Sequence, residues 1–389
     1  MIGGVPATLA QLAMSRRVLI VVGAGGVGKT TTAAALGLAA AVRGKRVLCL
    51  TIDPARRLAE ALGLERMSSE ERVVAPARLA QGGVAVGGSL TAMMLDTKRT
   101  FDQLVEKHSS TPEHARRLLN NRLYQYVSTS LAGTQEYMAM EKLVAVMREA
   151  RFDLIVLDTP PTANALDFLD APERLIDALD SAATGWFIQA FESTGKMSLN
   201  LLARSAALVL RGLGRITGGG FLEAMAEFLT ELNDLFGGFK QRARTVEGAL
   251  RSPEVAFVLV TSPAPMSLRE VLYFSDRLER ANMDRGAFVV NRLHLPPPGA
   301  GTSPTEADAV QAISERGLQL RLDAEAPSRL VRAHAVARRL AALDMVHLRT
   351  LHELTKDKMP IVHVPEFAGS VQDLDALRGL ADLLMRGGV

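Results

Sequence analysis

The chain has 389 residues, of which 48% are hydrophobic and 5% aromatic, and its formal net charge at pH 7 is +3. This length supplies enough apolar material for one large buried core or two moderate ones. The balance of 45 basic and 42 acidic residues gives no support for a dedicated nucleic-acid-binding protein. The single cysteine excludes an intramolecular disulfide and a Cys-x-x-Cys zinc site.

The N-terminal region gives no sign of a targeting or membrane-spanning segment. Arg16 and Arg17 follow its weakly apolar stretch, which is the reverse of the order in a secretory signal. Lys29 and Arg43 interrupt the most apolar region of the chain. We therefore expect a cytoplasmic protein without stable membrane insertion.

Residues 18–64 read as two strand–helix pairs. "VLIVV" (18–22) is a short β-rich run that ends in glycines, and "TTTAAALGLAAAVRGK" continues with helix formers and a glycine stop. "RVLCLTID" (46–53) predicts a second buried strand, and "PARRLAEALGL" predicts a short helix after it. Cys49 lies inside the second strand, where we expect it to be buried as a small hydrophobe.

The middle of the chain changes to helical spacing. We predict helices between about 91 and 150, a buried strand with a proline-rich exit at 152–162, and a second helical stretch over 172–250. In the second stretch, apolar residues recur at intervals of three and four and mark one helix face. They are Phe221, Leu222, Met225, Phe228, Leu229, Leu232, Leu235, Phe236 and Phe239.

The C-terminal third supplies the remaining strands, at 255–262, 286–293 and 359–367. Between them lie a predicted loop at 295–308 and a predicted helical region at 309–355, and a helix is predicted to follow the last strand. The alternation of strands and helices predicts an α/β class protein with a single domain over 1–389. We expect a doubly wound, mostly parallel sheet with an inserted helical subdomain.

The segment "GAGGVGKT" (23–30) follows the first predicted strand and matches the phosphate-loop pattern G-x-x-x-x-G-K-T. Gly25, Gly26 and Gly28 would let the backbone approach a phosphate closely. Lys29 would balance the charge of the β- and γ-phosphates, and the Thr30 hydroxyl would complete a Mg²⁺ shell. A plain glycine turn would explain the glycines but not the Lys-Thr pair. The sheet is therefore expected to be of the P-loop NTPase type.

Two aspartates stand at the ends of predicted strands. Asp158, in "LIVLDTPPT", could hold the water shell of Mg²⁺, and Asp53, in "TIDPARRL", could orient the water that attacks the γ-phosphate. A turn cap explains Asp158 equally well on its own, and a helix N-cap before Pro54 explains Asp53. Together with the loop at Lys29, the pattern favours the Mg²⁺ role for Asp158, whereas the residues alone leave both explanations of Asp53 open.

Four motifs together resemble the ArsA-type ATPases, namely "GGVGKTT", "DPA", "DTPPT" and "VVNRL". That family includes the arsenite-pump ATPase and the cytosolic factor that delivers tail-anchored membrane proteins. The resemblance covers residues 15–63, 150–170 and 253–295, with a looser match at 359–370. It implies an ATP hydrolase that uses ATP and Mg²⁺ and works as a dimer, with a second copy or with a related ATPase.

The resemblance also implies roles at the phosphate end of a nucleotide. Lys29 and Asp53 are the implied catalytic residues, with Asp53 as the switch I aspartate that positions water. Thr30 is the implied Mg²⁺ ligand, and Asp158 in switch II acts on the ion through water. The implied phosphate-binding set is Gly25, Gly26, Val27, Gly28, Lys29, Thr30 and Thr31.

At the other end of the nucleotide, the resemblance implies that Asn291 reads the adenine edge. The backbone around Pro365 and Glu366 resembles the loop that closes over the base. From the residues alone, Asn291 is explained equally well as a turn residue after a strand.

The chain departs from the family pattern at Ala24, where members carry a lysine that reaches across a dimer to the partner's phosphates. Arg56 and Arg57 follow switch I directly and are candidates for the missing charge, with a solvated helix surface as the competing explanation. Asn164 stands where the targeting factor has histidine. The cysteine count excludes the targeting factor's zinc-binding cysteine pair and an arsenite-binding cysteine triad.

Three functions compete at this point. The first is an ATPase whose nucleotide cycle opens and closes a dimer, and the second is a nucleotide-dependent binding module whose hydrolysis needs a lysine-bearing relative. The third is a positioning ATPase of the MinD or ParA kind, which the two switches fit less well. The segment 185–239, rich in Leu, Phe and Met, predicts either a groove for a hydrophobic client helix or an ordinary helical core.

Overall fold

An eight-stranded sheet organises the part of the chain that this computed structural model describes. The described residues are 7–52, 57–64, 69–81, 83–121, 124, 125, 128, 134–159, 241–297, 304–315, 325–355, 359–367, 369, 371 and 373–387. The strands are β1 (Val18–Gly23), β2 (Arg46–Thr51), β3 (Arg72–Val73), β4 (Ser89–Met94), β5 (Leu154–Asp158), β6 (Val255–Thr261), β7 (Arg285–Leu293) and β8 (Ile361–Pro365).

Helices connect these strands. They are α1 (Leu9–Ser15), α2 (Lys29–Val42), α3 (Arg57–Ala61), α4 (Pro76–Gln81), α5 (Thr97–His108), α6 (Pro112–Asn120), α7 (Thr134–Glu149), α8 (Pro265–Arg280), α9 (Glu306–Glu315), α10 (Ala326–Thr355) and α11 (Leu374–Arg386). Residues 241–250 are also helical. The helices α5, α6 and α7 form a helical insertion between β4 and β5.

The strand order is β3-β4-β2-β5-β1-β6-β7-β8. Every pairing is parallel except that of β3 with β4. From β1 the chain first builds the β2 side of the sheet and later the β6 side, so the order reverses at β1. Ligands of open α/β sheets bind at the carboxyl ends of the strands beside such a reversal.

Helices cover both faces of the sheet, and the side chains of β1 alternate between the two layers. Leu19 and Val21 belong to the apolar cluster that includes residues of α1, α2 and α11. Val18, Ile20 and Val22 belong to the cluster that includes residues of α7, α8 and α10. Because both faces are covered, the strand reads as a continuous apolar run rather than an alternating one.

Small residues let α2 pack closely on the sheet. Ala33, Ala34 and Ala35 are fully buried, and a Cβ atom added to Gly37 would lie 2.3 Å from the Cys49 Sγ. Cys49 itself is fully buried in β2, which confirms its expected place in the core. The position of α2 fixes where the preceding loop meets the edge of the sheet.

The α/β class, the mostly parallel sheet and the helical insertion are confirmed. The sequence pattern did not predict α1, β3 or β4, and it began the helical stretch at about 91, whereas β4 extends to Met94 and α5 begins at Thr97. The predicted helical region 309–355 contains two helices, α9 and α10. The apolar face at 221–239 lies outside the described residues, and the single domain stays a prediction.

Candidate functional site

Two positions, one at the end of β1 and one in the loop before α2, require glycine. Gly28 has a φ of +97°, and a Cβ atom there would lie 2.3 Å from the Nδ2 atom of Asn291. A Cβ atom on Gly23 would lie 2.0 Å from the backbone oxygen of Val260. The loop therefore presses its backbone against the ends of β6 and β7, and no larger residue fits these positions without a shift.

The N-terminus of α2 opens towards this loop without a side-chain cap. Gly28 is the N-cap residue and supplies no side-chain hydrogen bond, and the first turn contains no acidic residue. A helix N-terminus presents backbone N–H groups and a partial positive charge. The exposed loop residues Gly25 and Gly26 and the half-buried Thr30 and Thr31 surround this end of the helix. The arrangement favours an anion.

Lys29 begins α2 and turns its ammonium group back across the loop. The side chain is buried, and its Nζ atom donates a hydrogen bond of 2.8 Å to the backbone oxygen of Ala24. A buried ammonium requires such polar contacts because its desolvation is costly. Ala24 is itself buried at 8% exposure, and its methyl group belongs to the same apolar cluster as Val27.

Asp158 ends β5 and lies between β1 and β2 at the carboxyl edge of the sheet. It is level with Val21 of β1 and with Thr51 of β2. The carboxylate is fully buried, and its Oδ2 atom accepts a hydrogen bond of 3.0 Å from the Thr51 Oγ1. Burial, with the Asp158 charge as a smaller cause, raises the pKa of Cys49 to about 12, so this thiol stays protonated.

Thr159 and Ile52 hold the chain on either side of this aspartate. The Thr159 Oγ1 donates a hydrogen bond of 2.9 Å to the Val21 backbone oxygen, and the Ile52 N–H donates to the Asp158 backbone oxygen at 3.3 Å. Both strand ends are thus fixed beside the loop. The predicted residues Asp53, Arg56 and Asn164 lie outside the described residues. Arg57, at the start of α3, is exposed.

A cavity of about 330 Å³ opens beside the start of α2. Its lining comes from three distant stretches of the sequence, and five of the lining residues belong to the predicted nucleotide site. The lining residues are Gly28, Thr31, Asn291, Arg292, Pro365, Glu366, Phe367, Gly369, Val371 and Leu380. We call this cavity the base cleft, because the family resemblance implies that Asn291 contacts the adenine base of a nucleotide.

Asn291 joins the base cleft to the phosphate loop. Its Nδ2 atom donates a hydrogen bond of 2.8 Å to the Val27 backbone oxygen, and its Oδ1 atom accepts one of 2.9 Å from the Arg292 N–H. Arg292 has a φ of +60°, and the register between β7 and β8 shifts between Val290 and Leu293. A left-handed conformation is uncommon for arginine, and it turns the chain out of β7 at the cleft.

His294 lies behind the base cleft and was not predicted as a site residue. Its backbone N–H and its Nδ1 atom both contact the Oδ2 atom of Asp344 in α10, at 2.9 and 2.8 Å. Its Nε2 atom lies 3.1 Å from the Oε2 atom of Glu366. No local sequence pattern marks His294 as a site residue, because both of its partners are distant in the sequence.

The described helices include none long and apolar enough to span a membrane. Within the described ranges, no group of three or more His, Cys, Asp or Glu side chains is placed to hold a metal ion.

Comparison with known proteins assigns the chain to a family. The family of anion-transporting ATPases (ArsA ATPase) matches residues 16–302, a range that contains β1 to β7. ATPase GET3 of Malassezia globosa is 27% identical over 282 residues, which are 72% of this chain and 73% of that protein. ATPase get3 of Pyrenophora tritici-repentis is 26% identical over 283 residues, which are 72% of this chain and 74% of that protein.

A third relative, ATPase get3 of Aspergillus terreus, is 27% identical over 285 residues, which are 73% of this chain and 75% of that protein. The family match over residues 16–302 includes both the loop before α2 and the turn after β7, the two stretches that Asn291 connects. The chain therefore belongs to the anion-transporting ATPase family, and it is a P-loop ATPase.

Proposed function

We propose that the chain binds ATP with Mg²⁺ across the loop before α2 and the base cleft, and that it hydrolyses this nucleotide. The observation that carries the proposal is the convergence of three stretches on one cavity at the carboxyl edge of the sheet: Gly28 and Thr31, Asn291 and Arg292, and Pro365 to Phe367. Family membership supports the reaction, since the family consists of ATP hydrolases.

The phosphate end of the proposed site is the uncapped N-terminus of α2. In the structure, the Lys29 ammonium contacts a neutral acceptor, the Ala24 backbone oxygen. A bound triphosphate would offer charged oxygens instead, and hydrogen bonds between ionised groups are the stronger kind. Lys29 would therefore exchange Ala24 for phosphate oxygens when ATP binds.

The groups at the neighbouring strand ends fit a Mg²⁺ ion, which prefers oxygen ligands and keeps several waters. Thr30 would bind the ion directly, and Asp158 would bind it through water. Asp158 fits this role because its carboxylate is buried at the sheet edge and oriented by Thr51. The ion would neutralise charge that develops on the phosphates during transfer. Asp53 would orient the attacking water.

The base end of the proposed site is built by Asn291, Pro365 and Glu366. The Asn291 amide is held by Val27 and Arg292, so its orientation is set before a ligand arrives. Each amide group retains further capacity, because an amide nitrogen has two protons and an amide oxygen accepts two hydrogen bonds. It can therefore contact an adenine edge without leaving the loop.

A dimer is part of the proposal, as the family resemblance implies, and Ala24 bears on its composition. The Ala24 methyl group is buried and supplies no charge to a partner's phosphates. In a homodimer, the exposed Arg57 or the neighbouring Arg56 would have to supply that charge. The second candidate function is a nucleotide-dependent binding module whose hydrolysis requires a related, lysine-bearing ATPase in a heterodimer.

An ATPase assay on the purified chain tests the reaction. We expect turnover in the parent protein and a loss of at least about 100-fold in Lys29→Ala and Asp53→Asn, because each change removes a group that acts on the transferring phosphate. Lys98→Ala is the matched control, since Lys98 pairs with Asp102 on the surface of α5. Absence of ATP binding would overturn the proposal.

Two further measurements separate the alternatives. Turnover that begins only after a lysine-bearing relative is added would favour the binding module. Parent rates in both Arg56→Ala and Arg57→Ala would eliminate the arginine hypothesis.

We also propose that the segment 185–239, which follows β5 in the chain, receives a hydrophobic helix from a client protein. The Leu-, Phe- and Met-rich composition of residues 185–239 supports this, and that segment lies outside the described residues. Cross-linking of a purified apolar helical peptide in the presence and absence of ATP tests it. ATP-dependent co-sedimentation with liposomes or DNA would instead favour a positioning ATPase of the MinD or ParA kind.

A further inference from the structure

We propose that His294 is a positioning residue that sets how tightly the base cleft closes, because it ties Glu366 to the middle of α10. The inference rests on the proposed nucleotide-binding function and names a residue that does not line the cleft. Its role would be exerted through Glu366 rather than through contact with the nucleotide.

One side of this link is a buried anchor on α10. Asp344 is 8% exposed, and two donors of His294 share its Oδ2 atom, the backbone N–H at 2.9 Å and the ring Nδ1 at 2.8 Å. The neighbouring side chains of Leu348 and Leu351, on the same face of α10, are buried in the core cluster that includes β7 residues. The ring is therefore held in one orientation by a rigid helix.

The other side of the link is a turn that lines the cleft. The Glu366 side chain is 52% exposed, and its neighbours Pro365 and Phe367 are both lining residues. The Glu366 backbone N–H already donates a hydrogen bond of 2.9 Å to the Leu293 oxygen. The contact of 3.1 Å from the His294 Nε2 to the Glu366 Oε2 is a second tether on the same turn. The histidine thus limits how far this turn can open.

The chemistry of the contact explains why a histidine stands here. The two ring nitrogens of histidine point in different directions, so one short side chain reaches both carboxylates, Asp344 through Nδ1 and Glu366 through Nε2. Among small amides, asparagine can reproduce only the Nδ1 contact, and glutamine has the reach to reproduce the Nε2 contact.

The test compares the affinities of ATP and inorganic tripolyphosphate for the full chain by calorimetry. Tripolyphosphate engages the loop before α2 but has no base. His294→Asn should weaken ATP binding by about 3- to 10-fold, the effect of one lost hydrogen bond to a half-exposed side chain, and leave tripolyphosphate binding unchanged. His294→Gln, which keeps the contact with Glu366 and the backbone bond to Asp344 but loses the Nδ1 contact, should weaken ATP binding less than His294→Asn. His334→Asn, on the distant part of α10, is the matched control.

A double substitution guards against a folding defect. Glu366→Ala removes the exposed partner, and His294→Asn combined with Glu366→Ala should weaken ATP binding no more than the worse single change. Equal weakening of ATP and tripolyphosphate in His294→Asn would overturn the inference, because it indicates a general structural role. The inference would also be overturned if the losses of ATP affinity in the two single variants add up in the double variant. If the parent protein binds neither ligand, the proposed function itself fails.

Discussion

The substitution Gly28→Ala tests the contact between the phosphate loop and Asn291. The left-handed φ of +97° costs an L-residue about 1–2 kcal/mol. The new Cβ atom would lie 2.3 Å from the Asn291 Nδ2, so the amide must move and lose its bond to Val27, worth about 0.5–1.5 kcal/mol. We expect the free energy of unfolding to fall by about 2–3 kcal/mol in urea denaturation.

Gly44→Ala is the matched control for this change. Gly44 has a φ of +96°, follows the other end of α2, and has no atom within 4 Å of an added Cβ. It should lose only the conformational component, about 1–2 kcal/mol, and keep its affinity for ATP. Gly28→Ala should also weaken ATP binding by about 10-fold or more, because Asn291 is displaced. Equal losses of stability with equal ATP affinities would refute the proposed contact.

Two further predictions concern stability away from the cleft. Hydrogen bonds from Arg46 hold the pKa of Asp153 at about 2, so this carboxylate stabilises the fold above its unfolded-state pKa, and the contribution disappears as the pH falls towards 2. Since the Asp153 side chain is 39% exposed, Asp153→Asn should cost under about 1 kcal/mol at pH 7. In urea titrations the cost should shrink as the pH falls from about 4 to about 2, and a pH-independent cost contradicts this. Gly37→Ala should destabilise the fold by about 1–3 kcal/mol, because its Cβ would lie 2.3 Å from the Cys49 Sγ. Adding Cys49→Ala should restore most of that loss in thermal denaturation. A double variant as unstable as Gly37→Ala alone would count against the contact.

Local sequence patterns predicted those parts of the candidate site that are built from neighbouring residues. Gly28 and Lys29 are adjacent, so the strand, the loop and the helix they begin could be predicted together, and all three are observed. The burial of Cys49 followed from its continuous apolar run. The convergence of Asn291 and Pro365 on the loop before α2 came from the family resemblance, since no local pattern links stretches so far apart.

Other features depended on tertiary contacts that a local pattern does not contain. β4 has the sequence "SLTAMM", whose methionines and polar residues fit a helix as well as a strand, and its place next to β2 decides the structure. β3 has only two residues, both exposed. The contact of His294 with Asp344 spans 50 residues and exists only because α10 packs beside the end of β7.

The central claim is that one cavity, formed by the loop before α2, Asn291 and the turn at Pro365–Phe367, holds the nucleotide. Photolabelling with 8-azido-ATP and Mg²⁺, followed by peptide mapping, tests it most directly. We expect the label on residues 291–294 or 365–371, protection by excess ATP, and strongly reduced labelling in Lys29→Ala. Labelling of other segments, or undiminished labelling in Lys29→Ala, would contradict this account.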